Sequence, residues 1–376
     1  MPRLIFIFIF FVFCFTKTKS QTFAVIGDYG DAGQPELDVS NLVKSWQPEF
    51  IITCGDNNYP NGDSLTIDTN IGKYYHQYIF PYSGNYGDSS DTTTINRFFP
   101  ALGNHDLVTA NGLPYYNYFT LPNNERYYDF QWGNVHLFSI NSDPSAGNEP
   151  DGVDSNSVQA NWLKGKLAVS NAKWKIVYFH HSAYSSGGNH GSSSWMQWNF
   201  EQWDATAVIG GHDHIYERLQ VGNIPYFVNG LGGRPAIYPL DTPLTESVKQ
   251  YNANYGAMKI SAFPDSIVFE FRDVSDSLID RFVLPDSLNG VKKKLNKKNS
   301  CTVFPNPFIN FAQFFLNEEL GNAPLFIYDF MGNEIEKREL VNTKTVEVFI
   351  KNEGLFFYKI IQENKILATG KMISIH

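Results

Sequence analysis

His212 and His214 flank Asp213 at the end of the apolar run ATAVIGG, within the segment GGHDHIYER. In a strand, residues two apart face the same side, so both imidazoles can point at one metal ion. The same spelling also fits a polar turn with two solvated histidines, so the rest of the chain has to decide. Four other apolar, β-branched runs end in residues able to ligate: FAVIGDYG (23–30), FIITCGDNNY (50–59), FFPALGNHD (98–106) and WKIVYFHH (174–181). Together the run ends offer Asp28, Asp56, Tyr59, Asn104, His105, His180, His212 and His214. That mixture of oxygen donors and imidazoles exceeds what one ion holds and suits two, with Asp56 shared between them. Two ions about 3.5–4 Å apart can bind a phosphate ester and activate water for in-line attack.

Such residues have to be brought together by the elements that carry them. Continuous apolar runs of this length read as strands buried on both faces. Between them, PELDVSNLVKSW presents Leu37, Leu42, Val43 and Trp46 at helical spacing after Pro35. SNSVQANWLKGKLA does the same with Val158, Trp162, Leu163 and Leu167 behind a Ser N-cap. Strands alternating with helices imply an α/β layered core, and ligands of such sheets gather outside the carboxyl ends of the strands. All five polar clusters fall there. Residues 60–97 and the mobile glycine-rich stretch 182–193 read as long loops of functional type. After Arg218 the pattern turns to strands in IPYFVNG, GAMKISAF, DSIVFEF and LIDRFVL. Residues 286–300 carry five lysines and almost no apolar side chain, which reads as a solvated linker between a catalytic domain (21–285) and a small β-sandwich domain (301–376).

The net charge of −9 over 376 residues leaves no basic excess for a nucleic-acid backbone. At the N-terminus, Arg3, the run LIFIFIFFVFCF and the polar exit TKTKSQ read as an export signal over residues 1–20. The run is too short for a transmembrane anchor, which needs roughly 20 residues. Beyond that signal only Cys54 and Cys301 remain, too far apart for a disulfide scaffold, and Cys54 reads as a small buried apolar residue.

The ordered set GDYG, GDNNY, GNHD, VYFH and GHDH resembles the metallophosphoesterase (calcineurin-like) superfamily, and specifically its purple acid phosphatase branch, over roughly residues 22–285. Many members open with Asp-x-His, whose histidine is a ligand; here Tyr29 and Gly30 follow Asp28, and Tyr59 stands three residues past Asp56. That replacement is what assigns the branch, and a phenolate favours a trivalent ion. The resemblance implies a layered β-sandwich flanked by helices (α/β/β/α). It implies a dinuclear centre of Fe(III) with a divalent Fe, Zn or Mn, and hydrolysis of small phosphate monoesters by metal-bound hydroxide. Asp28, Tyr59 and His214 are then expected on the Fe(III) side and Asn104, His180 and His212 on the divalent side, with Asp56 bridging. His105 is expected as general acid, Asp106 as the carboxylate orienting it, and His190 as a substrate contact. A phosphodiesterase or nucleotide pyrophosphatase on the same site is the alternative, and a non-catalytic surface-binding protein a more distant one.

Other residues are expected to do less. His181, beside His180 on a strand, should face away from the metal, and His136 should be a satisfied core histidine. His76 and His376 carry no spacing signal. Asn57 and Asn58 should shape a turn, while Glu217 and Arg218 should form a supporting salt bridge. In the tail, VFPNPF, IYDFMGNEI, GLFFYKI and GKMISI resemble the sorting domain of the bacterial type IX secretion system. That resemblance implies outer-membrane secretion machinery as a partner. It also implies passage through the periplasm to the surface or medium of a Gram-negative cell.

Overall fold

The apolar runs with polar ends become strands whose exits lie side by side. In the computed structural model, which describes residues 20–88, 93–145, 147–286, 301–304, 306–320, 322–362 and 365–375, β1 (Gln21–Ile26), β2 (Phe50–Thr53) and β3 (Phe98–Pro100) run parallel. The export signal apart from Ser20, the lysine-rich linker beyond Asp286, and His376 lie outside the described residues. Ile26 pairs with Thr53 and Thr53 with Pro100, so the three exits finish level. That register brings the turns carrying Asp28, Asp56 and Asn104 to one edge.

A second sheet supplies the other half. It comprises β4 (Tyr128–Trp132), β5 (Val135–Ser139), β6 (Trp174–His181), β7 (Ala207–Gly211), β8 (Tyr216–Val221), β9 (Ile224–Asn229) and β10 (Ser247–Tyr251). Its order is β10-β8-β9-β7-β6-β5-β4, with β5, β6, β7 and β9 parallel. The first sheet is completed by β11 (Gly256–Ala262), β12 (Ser266–Asp273) and β13 (Leu278–Pro285), in the order β13-β12-β11-β1-β2-β3. Alternation along β6 shows how the layers stack: Ile176 and Tyr178 join Phe23, Phe50 and Met258 of the first sheet, while Val177 and Phe179 turn to the other face. There they meet Ala160, Leu163 and Leu167 of a helix, Val158–Val169, whose N-cap Ser157 accepts a bond from the Ala160 amide at 3.1 Å. Helix Gln34–Ser45 buries Val39 and Val43 with the first sheet, giving helix, sheet, sheet, helix.

The helices form where expected but on shifted stripes. Val39, Leu42, Val43 and Trp46 are spaced i, i+3, i+4 and i+7; Leu37 lies off that stripe and is 37% exposed. Val158, the first residue of its helix, is 62% exposed. Residues 60–97 are not all loop, because Asp68–Tyr78 forms consecutive helical turns that bury Ile71, Tyr74, Tyr75 and Tyr78. Their tyrosines made the segment look polar, but the rings pack as apolar bodies.

The chain divides into two compact units at Leu288/Asn289. The second is all β: β14 (Cys301–Phe304), β15 (Phe311–Leu320), β16 (Ala323–Tyr328), β17 (Glu334–Leu340), β18 (Thr343–Phe349), β19 (Gly354–Gln362) and β20 (Lys365–Ser374). Antiparallel sheets β14-β15-β18 and β17-β16-β19-β20 enclose Phe314, Leu325, Ile327, Val348 and Ile360. Among the described residues no helix is long and apolar enough to cross a membrane.

Candidate metal centre

Three of the five strand exits turn sharply. Asp28, Asp56 and His212 have φ of 56°, 52° and 72°, in the left-handed region that few non-glycine residues occupy. The turns cross at distances only glycine allows: a Cβ on Gly103 would lie 2.1 Å from the Asp56 amide nitrogen, and one on Gly30 would lie 1.7 Å from the Asn57 carbonyl.

Asp56 sits at the middle. Its Oδ2 is 3.3 Å from His180 Nε2 on one side and accepts the Tyr59 hydroxyl at 2.9 Å on the other, while Oδ1 accepts the His105 amide at 2.9 Å. Around His180 Nε2 lie Asn104 Oδ1 and His212 Nδ1, both at 3.0 Å. Around the Tyr59 hydroxyl lie His214 Nε2 at 3.3 Å and Asp28 Oδ1 at 3.4 Å. All seven expected ligands therefore converge as two donor groups with one carboxylate between them. One ligating atom each of Asp56, His180 and His212 lies within 4.8 Å of the others, a set able to hold a metal ion.

The outer nitrogens of the histidines are already engaged. His180 Nδ1 bonds the Cys54 carbonyl at 2.8 Å, and His214 Nδ1 the Ala236 carbonyl at 2.6 Å. Both rings are thereby fixed with Nε2 aimed inward, as metal-ligating histidines are. Cys54 is fully buried, and its part in the site is that carbonyl. Burial opposes charge on His180, yet the Asp56 and Asp28 carboxylates hold it up to about 10. Burial likewise works against Asp56, and His180 and His105 outweigh it, keeping the carboxyl well below its usual range. Burial, then His180, pushes His212 far down. Burial, then the Asp56 and Asp28 charges, pushes the Tyr59 phenol well above its ordinary value. In the metal-free centre a proton on His180 thus balances the Asp56 carboxylate beside a neutral imidazole and phenol, and a metal ion would have to displace that proton.

His105 stands at the rim with its side chain 37% exposed, its ring 4.5 Å from that of Tyr59. Nδ1 bonds the Pro60 carbonyl at 2.6 Å, which fixes it as the N–H, and Nε2 lies 4.0 Å from Asp56 Oδ2. Asp106 is not the group that orients it. The Asp106 carboxylate is buried and accepts from the Gly103 amide at 2.8 Å, the Asn57 amide at 3.0 Å and Asn57 Nδ2 at 2.8 Å. It braces the turn that carries Asp56; burial, then the Asp56 charge, raises it to about 6. His190 is exposed, its ring stacked on that of His212 at 3.9 Å.

Three lesser expectations change. His181 does not face away; its ring lies 4.4 Å from that of His212 and its Nδ1 is 3.0 Å from Ser142 Oγ. A register shift between Tyr178 and His181 breaks the strict alternation of β6 and re-aims it. Glu217 and Arg218 do not pair with each other, since neighbours on β8 point to opposite faces. Glu217 accepts from Ser186 and Ser247, and Arg218 binds Asp280 at 2.6 Å. Asn57 is a tie between turns, accepting from Tyr29 and Thr53 and donating to Asp106. His136 is satisfied, bonded to Ser170 Oγ at 2.8 Å and Asp129 at 2.9 Å.

The segment after β9 contributes two residues not singled out from the sequence. Its Arg234 guanidinium lies 4.7 Å over the Tyr59 ring and pairs with Asp31 at 2.7 Å, and its Tyr238 stacks on His214 at 4.1 Å. The signal was present: IPYFVNGLGGRP is a sixth apolar run ending in glycine and polar residues.

Residues 21–216 match the calcineurin-like phosphoesterase family, and residues 302–375 match the secretion system C-terminal sorting domain. An uncharacterized protein of Mycobacterium tuberculosis is 25% identical over 206 residues, 48% of this chain and 36% of that protein. Purple acid phosphatase 3 of Arabidopsis thaliana is 26% identical over 244 residues, 57% of this chain and 63% of that protein. The chain thus spans less than two thirds of the length of either relative. Purple acid phosphatase PPD1 from yellow lupin seeds superposes with a TM-score of 0.56 at 17% identity, over 72% of this chain and 54% of that one, a likeness of fold. This chain belongs to the calcineurin-like phosphoesterase family, with a purple acid phosphatase-like fold and a C-terminal sorting domain that marks it for export.

Proposed function

We propose that the chain is an exported acid phosphatase that hydrolyses phosphate monoesters at a dinuclear centre of Fe(III) with divalent Fe, Zn or Mn. One observation carries the reading: the Tyr59 hydroxyl lies among Asp56, Asp28 and His214, across Asp56 from His180. A phenol there is a hard donor that becomes anionic only beside a strongly charged cation, which favours a trivalent ion on that side. Asp28, Tyr59 and His214 would hold it, Asn104, His180 and His212 would hold the divalent ion, and Asp56 would serve both.

When bound, such a pair supplies Lewis acidity toward a phosphoryl oxygen and ionises water at mildly acidic pH. The chain's own residues do the rest. His105 donates Nδ1–H to Pro60, so Nε2 is the atom that carries and releases the exchangeable proton, toward the oxygen of the departing alcohol. Asp106 keeps the Asp56 turn in place, and His190 borders the space above His212. The sorting domain supports delivery through the periplasm and the outer-membrane machinery of a Gram-negative cell, to the surface or the medium.

The deciding experiment combines metal analysis and the visible spectrum of the purified protein with rates on nitrophenyl phosphate and its bis-ester. Iron, a broad visible band and preference for the monoester are expected. A colourless, active protein with two zinc ions rejects the Fe(III) assignment, and preference for the bis-ester rejects the monoesterase.

A further inference from the structure

Asp213 stands between two candidate ligands yet belongs to neither donor group. It is 1% exposed, and its carboxylate is turned to a single loop. It accepts from Ser185 Oγ at 2.7 Å, the His190 amide at 3.0 Å and the Gly191 amide at 2.9 Å. Gly187 packs so closely that a Cβ there would lie 2.3 Å from the Asp213 carboxyl carbon. A few residues on, buried Glu217 takes the Ser186 amide and hydroxyl, each at 2.7 Å. The loop's other side is bridged by Gly187 to Leu240, and the Gly188 amide donates to Pro239 at 2.8 Å.

This loop is SSGGNHGSS, a composition that has no fixed shape of its own. Its order comes from outside, and the nearest anchor to His190 is Asp213. The anchor is what sets the His190 ring on that of His212 and 5.5 Å from that of Tyr238.

We propose that Asp213 is a positioning residue for substrate binding: it clamps residues 185–191 so that His190 forms a fixed wall over the centre. Without the clamp, a substrate would have to order a glycine-rich loop as it binds, and affinity would fall. The kinetic half of this inference rests on the phosphatase reading, while the clamp itself rests on geometry alone.

The test uses the metal-loaded full chain with Asp213→Asn, Ser185→Ala, His190→Ala and the Asp213→Asn/His190→Ala double variant. Amide exchange across 185–191, metal content, and KM and kcat on nitrophenyl phosphate are measured. Asp213→Asn is expected to keep its metals, to speed exchange at His190 and Gly191 by roughly tenfold or more, and to raise KM about tenfold with kcat nearly unchanged. In the His190→Ala background it should add no further rise in KM, because both act through one ring. Ser185→Ala should move exchange and KM in the same direction by less. Unchanged exchange in the loop, or a full additive effect in the double variant, overturns the proposal. If Asp213→Asn sheds metal, Ser185→Ala decides alone, and unchanged exchange at His190 in that variant overturns it. If the wild type lacks phosphatase activity, the functional reading falls while amide exchange still decides whether the clamp exists.

Discussion

The Tyr59 hydroxyl and the Asp56 carboxylate lie 2.9 Å apart, and the same Asp56 oxygen is 3.3 Å from His180 Nε2. One carboxylate oxygen therefore faces a phenol on one flank and an imidazole on the other. This asymmetry separates the two donor groups chemically, and it sets the first expectation.

Tyr59→Phe removes one oxygen from a packed ring and leaves the ring in place. With Fe(III) on the tyrosine side, the wild type absorbs broadly in the visible, and the variant should lose that band while keeping its melting temperature within a few degrees. Absorption spectra and iron content of both proteins check this. A variant as coloured as the wild type places the chromophore elsewhere.

His105 bears on the leaving group. A general acid contributes roughly 10²–10⁴-fold, and most when the departing alkoxide is poor. His105→Ala should slow alkyl phosphates by that range and nitrophenyl phosphate far less, with metal content intact. Equal losses on the two substrates point to phosphate binding, and loss of metal makes His105 a ligand.

The metal-free centre should depend on pH through His180. Burial opposes its charge, but Asp56 and Asp28 hold it up to about 10, above the ~6.5 of an unfolded histidine. Its contribution to stability is therefore complete below ~6.5 and is lost as pH rises through about 10. A metal ion displaces the proton, so apparent affinity should rise with pH across the same interval, by up to about tenfold per unit. Calorimetric titration of the metal-free protein with Zn(II), in buffers of different ionisation enthalpy, reads the proton released. Constant affinity between about pH 6.5 and 8.5 with no proton release contradicts the pairing.

Gly103 is where the second and third strand exits touch. A Cβ there would lie 2.1 Å from the Asp56 nitrogen and 2.2 Å from its Oδ1, so Gly103→Ala must displace the shared carboxylate. Metal affinity should drop by roughly 10–100-fold, comparable to losing a group that orients a ligand. Equilibrium dialysis measures it, and wild-type affinity would show that the turn yields.

The tail should be thermodynamically separate. A chain of residues 21–288 is expected to be soluble, to bind metal and to keep its turnover, while the full protein unfolds in two transitions. Differential scanning calorimetry distinguishes the cases. Aggregation or metal loss on truncation would make residues 301–376 part of the catalytic fold.

The strand exits were readable because parallel strands in register must end level, so a polar residue just past each apolar run had one place to go. Asp28, Asp56 and Asn104 follow that rule, and His212 lies just past the end of β7. The orienting acceptors did not show, because Pro60 and Ala236 act through backbone carbonyls that every residue possesses. Asp106 misled because nearness in sequence suggested a partner at His105, whereas its three donors come from Gly103 and from Asn57, a residue on another turn. His181 escaped because a register shift in β6 cancels the alternation on which the expectation stood.

Three of the donors, Asp28, Asp56 and His212, hold left-handed backbone. Each such residue stores roughly 1–3 kcal/mol that glycine would not. In the metal-free chain, Asp28→Gly or Asp56→Gly would relieve that strain, but it would also take from buried His180 a carboxylate that supports its charge, and from the His212 or the His105 amide its acceptor. The two effects oppose each other, so the strained backbone is held by the charge pairing of the centre itself. A chain that lost one of these side chains would gain no easy stability from it, and the donors stand or fall as a set.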